Sequence, residues 1–211
     1  MERRYDFITF DCYGTLIDWE SGIADAFRDA GVALPREEVL REYARVEPVV
    51  EHERYRSYRD VLAETARRIA GRDGAFLAES LPQWRPFPDT NAALERLRDA
   101  GYKLGILSNV DDDLLAGTRK HFTVDFDLIV TAQQVRSYKP GHAHFESART
   151  ELGGARWLHA AQSNFHDIAP ATELGIDNAW VNRRHETGGV RPTYEVQDLK
   201  GLADLLTPHE R

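Results

Sequence analysis

Short apolar runs recur along the chain, separated by stretches with helical spacing. The first run is Phe7-Ile8-Thr9-Phe10; later ones cover 103–107, 128–130, 157–161 and 178–181. Each is nearly continuous in apolar side chains, the pattern of a strand covered on both faces. Between them, Ala93, Leu94, Leu97 and Ala100 mark one helical face, which Gly101 stops. Helical patterns also cover 114–121, 143–152 and 168–174. Strand and helix in alternation predict an α/β fold: a doubly wound parallel sheet with a Rossmann-like core.

Residues 20–83 break that rhythm with three helical stretches and no convincing strand. The first, 21–30, precedes Gly31. Pro35 opens the second, which carries Val39, Leu40, Tyr43 and Val46, and Pro48 is expected to kink or end it. The third, 58–70, sets Val61, Leu62, Thr65 and Ile69 on one side before Gly71. The expected organisation is a helical cap over 17–83 inserted between core segments 1–16 and 84–211. The proline-rich stretch LPQWRPFPDT, 81–90, reads as the return linker.

At 211 residues the chain is long enough for a full core and a smaller insertion. A net charge of −8 argues against nucleic acid as a partner, because an acidic surface gains little from counterion release. A single cysteine excludes an internal disulfide and fits a reducing compartment. Met1-Glu2-Arg3-Arg4 runs into the first strand without an apolar signal segment, and no apolar run approaches the ~18 residues of a membrane span. A cytoplasmic protein with no membrane partner is expected.

In sheets of this kind, sites gather at the carboxyl ends of the strands. Asp11 ends the first, and Ser108-Asn109 the second. Lys139 follows the third; Gln162-Ser163-Asn164 and Asp167 follow the fourth. Asp11, at a turn that Gly14 permits, reads as a nucleophile, or more simply as a turn acid. Lys139 could hold it ionised and attract an anion. Asp167 could orient Lys139 or polarise water, or else complement a helix dipole. Ser108 and Asn109 suit an oxyanion, a substrate carboxylate or a leaving anion, and could equally cap a helix. Cys12 lacks an assigned base, His142 and His144 lack a third metal ligand, and Asp111-Asp112-Asp113 reads as helix capping.

DCYGTL at 11–16, LSN at 107–109, YKP at 138–140 and QSNFHD at 162–167 resemble, in order and spacing, the four motifs of the haloacid dehalogenase superfamily. Phosphatases of that superfamily carry a second acid where Tyr13 stands, to protonate an alkoxide, and an acid where Gln162 stands, to bind Mg²⁺. Halide departs without a proton, so both departures suit displacement at carbon. The pattern is similar to the L-2-haloacid dehalogenases. That resemblance implies a metal-independent hydrolase of a small-molecule carboxylate, with catalytic Asp11, Lys139 and Asp167 and no cofactor.

In the implied mechanism Asp11 attacks the substituted carbon, and water then hydrolyses the Asp11 ester. Tyr13 would line an apolar wall; Thr15, Ser108, Ser163 and Asn164 would position carboxylates and water. Asn109 and a cap arginine would hold the halide, with Arg41 and Arg45 leading and Arg54, Arg56 and Arg59 open. The dehalogenases carry tryptophan, tyrosine and serine where His166, Phe145 and Gln162 stand. Homodimers are common among them. Two other readings remain: a Mg²⁺-dependent phosphatase whose metal is held by Asp11 and Asp167, and a catalytically weak binding protein that keeps the fold.

Overall fold

The computed structural model describes residues 3–53 and 55–207, without the side chains of His52 and Glu53. β1 (Phe7–Phe10) is followed by four helices, α1 (Trp19–Asp29), α2 (Arg36–Glu53), α3 (Tyr58–Ala70) and α4 (Ala75–Ser80). Then come α5 (Thr90–Asp99), β2 (Lys103–Ser108), α6 (Asp112–Thr118), β3 (Leu128–Thr131), the one-turn α7 (Ala132–Val135) and α8 (Ala143–Leu152). β4 (Trp157–Ala161) leads through a wide turn at Asn164–Ile168 into α9 (Ala169–Glu173). β5 (Asp177–Val181), β6 (Tyr194–Val196) and α10 (Leu199–Leu206) complete the order.

The strands form one six-stranded sheet in the order β3-β2-β1-β4-β5-β6, and every neighbouring pair is parallel. The predicted α/β class and Rossmann-like core are therefore present. Phe10 of β1 pairs with Ile106 on one side and Ala160 on the other. β1 is thus the central strand, where the winding reverses, and its carboxyl end lies at the switch point that open α/β sheets use for ligands.

Five strands coincide with the apolar runs. β6 was not predicted: it has three residues, and none of them is fully buried. α4 and α10 were not predicted either. The predicted 114–121 helix stops at Thr118, and its last turn tightens to a 3₁₀ turn over Arg119–His121.

Pro48 does not end α2, which runs on to Glu53. Proline removes one helical hydrogen bond. Burial of Val46 and Val50, on either side of it, against Val61 of α3 holds the helix together.

The helices between β1 and α5 share one buried apolar cluster with the sheet. Ile8 and Phe10 lie in the same cluster as Ile23, Phe27, Leu62 and Leu77. Asp111, after β2, accepts the backbone N–H groups of Tyr58 (3.0 Å) and Arg59 (2.8 Å). It therefore caps α3 across the chain rather than its own helix, satisfying donors that the first turn leaves open. Gly22 of α1 lies against Trp84: a Cβ there would stand 2.2 Å from the indole Cγ. Among the described residues, no helix is long and apolar enough to cross a membrane.

Candidate active site

Asp11 follows β1 directly, and its N–H still bonds to Ala160 O on β4 (3.1 Å). Gly14, at φ +100°, then reverses the chain, a backbone state that side chains disfavour. The reversal brings Thr15 back to Asp11: its hydroxyl donates to Asp11 Oδ2 (3.1 Å) and accepts from the N–H of Gln162 (2.9 Å).

Lys139 reaches the same point from the β3 side and is 1% exposed. Its Nζ donates to Asp11 Oδ1 (2.9 Å), Leu107 O (2.9 Å) and Asp167 Oδ1 (2.6 Å). An ammonium has three protons, and all three are taken. Asn109 fixes the lysine's backbone: its side chain accepts from Lys139 N–H (2.7 Å) and donates to Lys139 O (3.0 Å).

Burial works against the Lys139 charge, but Asp11 and Asp167 outweigh it and hold the ammonium above its usual range. Burial would also raise Asp167, yet the Lys139 charge and the His159 hydrogen bond keep it well below the usual carboxylate range. At Asp11 burial prevails, with the Asp167 charge adding to it, so this carboxyl sits above the ordinary value although Lys139 opposes the rise.

A buried polar chain supports Asp167 from below. Trp157 Nε1 donates to Thr9 Oγ1 (2.8 Å), Thr9 Oγ1 lies 2.8 Å from His159 Nδ1, and His159 Nε2 lies 3.0 Å from Asp167 Oδ1. An ionised carboxylate only accepts, so Nε2 carries the imidazole proton. The Thr9 hydroxyl, itself accepting from the indole, holds the other ring nitrogen, Nδ1.

The remaining predicted residues divide. Ser108 lines the cavity, and its buried hydroxyl has no hydrogen-bond partner. Tyr13 lines it too, its hydroxyl 2.8 Å from Thr118 Oγ1 and its ring edge-on to Trp84. Ser163 Oγ accepts from the His166 N–H (3.0 Å). Asn164 reaches the cavity, but its amide is taken up by the Val190 backbone, donating to O (2.9 Å) and accepting from N–H (2.8 Å).

Of the three positions that depart from the dehalogenase pattern, His166 and Gln162 line the cavity. Phe145 does not: it is buried edge-on against His159, with ring centroids 5.2 Å apart.

The cavity measures about 670 Å³ and lies between the strand ends and helices α1, α2 and α3. None of Arg41, Arg45, Arg56 and Arg59 lines it, and Arg54 lies outside the described residues. Arg41 and Arg45 instead pair with Glu38 and Glu42 on their own helix, and Arg59 with Asp113. The charged residues that α2 gives the cavity are acidic, Glu47 and Glu51. The sequence carries that signal in their i, i+4 spacing, and His159 stands out as a polar residue inside an apolar strand; neither belongs to the predicted site.

Among the described residues, no group of three His, Cys, Asp or Glu is placed to hold a metal. The donor set suits an ammonium instead. Nζ of Lys139 already bridges the two carboxylates, and a phenol and an amide stand at positions 13 and 162.

A (S)-2-haloacid dehalogenase of Pseudomonas sp. (strain YL) is 29% identical, over 94% of this chain and 93% of that protein. A glyceraldehyde 3-phosphate phosphatase of Methanothermobacter thermautotrophicus is 31% identical over 58% of this chain and 59% of its own length. The L-2-haloacid dehalogenase of Xanthobacter autotrophicus, solved with chloropropionic acid covalently bound, superposes with a TM-score of 0.83. It covers 98% of this chain and 100% of its own at 23% identity, a likeness of fold. The family model for haloacid dehalogenase-like hydrolases matches residues 5–177. With that match over most of its length, the chain belongs to the haloacid dehalogenase-like hydrolases.

Proposed function

We propose that the protein displaces halide, or a similar leaving group, from a small 2-substituted carboxylic acid, through an ester on Asp11 and without metal. One observation carries this reading: Lys139 Nζ bridges Asp11 and Asp167 while position 13, two residues after the nucleophile, holds a phenol turned to Thr118. Phosphate-ester cleavage needs a proton for its alkoxide; halide leaves without one.

An Asp11 carboxylate oxygen attacks C2 of the substrate. A carbon–oxygen bond forms, the carbon–halogen bond breaks with inversion, and halide leaves with the electron pair. Water then attacks the carbonyl carbon of the Asp11 ester. Lys139 stabilises the oxyanion that develops there, and Asp167 orients the water. The products are a 2-hydroxy acid, halide and one proton, and Asp11 is restored.

Ser108, with an unpaired buried hydroxyl, receives the substrate carboxylate. Thr15 holds Asp11, Asn109 positions Lys139, and Ser163 and Asn164 fix the loops that wall the cavity. Tyr13 lines the apolar wall, and the helical segment 17–83 acts as a cap. Relatives that carry the dehalogenase name support this substrate class.

The test sets 2-chloropropionate beside phosphate monoesters, each with and without EDTA. Chloride release that survives EDTA and vanishes in Asp11→Asn is expected, with an Asp11 adduct detectable by mass spectrometry. Chloride release that persists in Asp11→Asn, or that requires Mg²⁺, would refute the reading.

A further inference from the structure

Helix α2 turns Tyr43, Glu47 and Glu51 toward the cavity at successive four-residue steps. Glu51 is 7% exposed, and its carboxyl has no hydrogen-bond or ion-pair partner among the described residues. A carboxyl that faces a reaction cavity with no protein partner keeps its bonding capacity for a ligand there.

The ionisable groups of the cavity show what kind. Among the described residues, its acids are Asp11, Glu47, Glu51, Asp167 and Glu186, and its lysines and arginines are Lys139 and Arg184. Lys139 is committed to Asp11 and Asp167, and Arg184 pairs with Glu20 (2.5 Å) and Glu186 (3.9 Å). Neither is bonded to Glu51. Burial and the adjacent Glu47 push Glu51 up to about 8, with Lys139 drawing it the other way. The other titratable groups it faces are Tyr43, Tyr58 and Tyr138. A positive charge set against the carboxyl would release its proton. Tyr43, Tyr58 and Trp84 also line the cavity, and aromatic faces attract cations. There is room as well: about 670 Å³ equals roughly twenty waters at ~30 Å³ each, far more than a three-carbon haloacid fills.

We propose that Glu51 seats an ammonium group of the substrate, so that the substrate is a zwitterion: a 2-substituted carboxylate with a cationic far end. The proposal takes the reaction centre at Asp11 as assigned above and adds a specificity subsite on α2.

Chloride release is compared for 2-chloro-4-aminobutanoate and 2-chlorobutanoate. The wild-type chain is expected to prefer the amino acid at least tenfold in kcat/KM, mainly through KM. In Glu51→Gln the ratio falls to near one. A ratio near one in the wild type, or one kept in Glu51→Gln, overturns the subsite. A second arm needs no chemistry: calorimetric binding of 4-aminobutanoate and butanoate to Asp11→Asn. At least tenfold tighter binding of 4-aminobutanoate, lost when Glu51→Gln is added, upholds the subsite even if neither chloro acid turns over; equal binding rejects it. Should Glu51→Gln not fold, Glu51→Asp, which withdraws the carboxyl by one methylene, gives the same readout.

Discussion

Lys139 Nζ lies 2.9 Å from Asp11 Oδ1, although the two residues stand 128 positions apart in the chain. The same ammonium lies 2.6 Å from Asp167 Oδ1. Lys139→Met would keep most of the stem and leave two buried carboxylates facing each other. Removing one partner from a buried pair typically costs about 3–5 kcal/mol. Urea denaturation at neutral pH is expected to show a loss of that order, and halide release should disappear. One of the two carboxyls would then hold a proton in the fold, its pKa raised above the unfolded value. The variant should therefore regain stability as pH falls and lose it as pH rises.

His159 donates one of the two side-chain hydrogen bonds that Asp167 receives. His159→Phe keeps a ring in the strand and removes the donor. A hydrogen bond to a charged group is worth about 1.5–3 kcal/mol. If that loss is felt in the transition state, kcat falls by roughly ten- to a hundred-fold. Steady-state kinetics should place the loss in kcat rather than KM, because His159 lies beneath the cavity and touches no substrate. An equal loss in KM would deny it a positioning role.

His144 is buried, and its Nδ1 has no partner. Burial, aided by the Lys139 charge, holds its pKa down to about 3, against 6.5 for a free imidazole. In the unfolded chain it binds a proton at the higher pH. Its contribution to stability is thus complete above pH 6.5 and is lost as pH falls toward 3, by up to about 1.4 kcal/mol per pH unit. Glu51, raised to about 8, acts in the opposite sense between its usual value and 8. Urea midpoints of wild type and His144→Gln, compared between about pH 4.5 and 7, should isolate the histidine: the wild type loses more on acidification.

Gly22→Ala would place a methyl 2.2 Å from Trp84 Cγ, and Trp84 lines the cavity. Overpacking of this kind costs about 1–3 kcal/mol. A lower thermal midpoint and an altered KM are expected together, since the indole is displaced along with the wall it forms.

Apolar periodicity by itself determined the parallel α/β core, because strands buried on both faces must be apolar throughout and their helices need a 3.6-residue stripe. β6, with three residues of which none is buried, gives no such pattern, and α4 is too short to show a period. The four strand-end motifs were legible as well, since topology fixes which edge collects them. Tertiary packing decided the rest. It carried α2 through Pro48, which local propensity reads as a stop, by burying valines on both sides. It turned Asp111 to cap α3 and tied the amides of Asn109 and Asn164 to backbone. It also placed Glu47 and Glu51, rather than an arginine, on the α2 wall of the cavity. Which face of a charged helix meets the site depends on its rotation against the sheet, and side-chain contacts distant in sequence set that rotation.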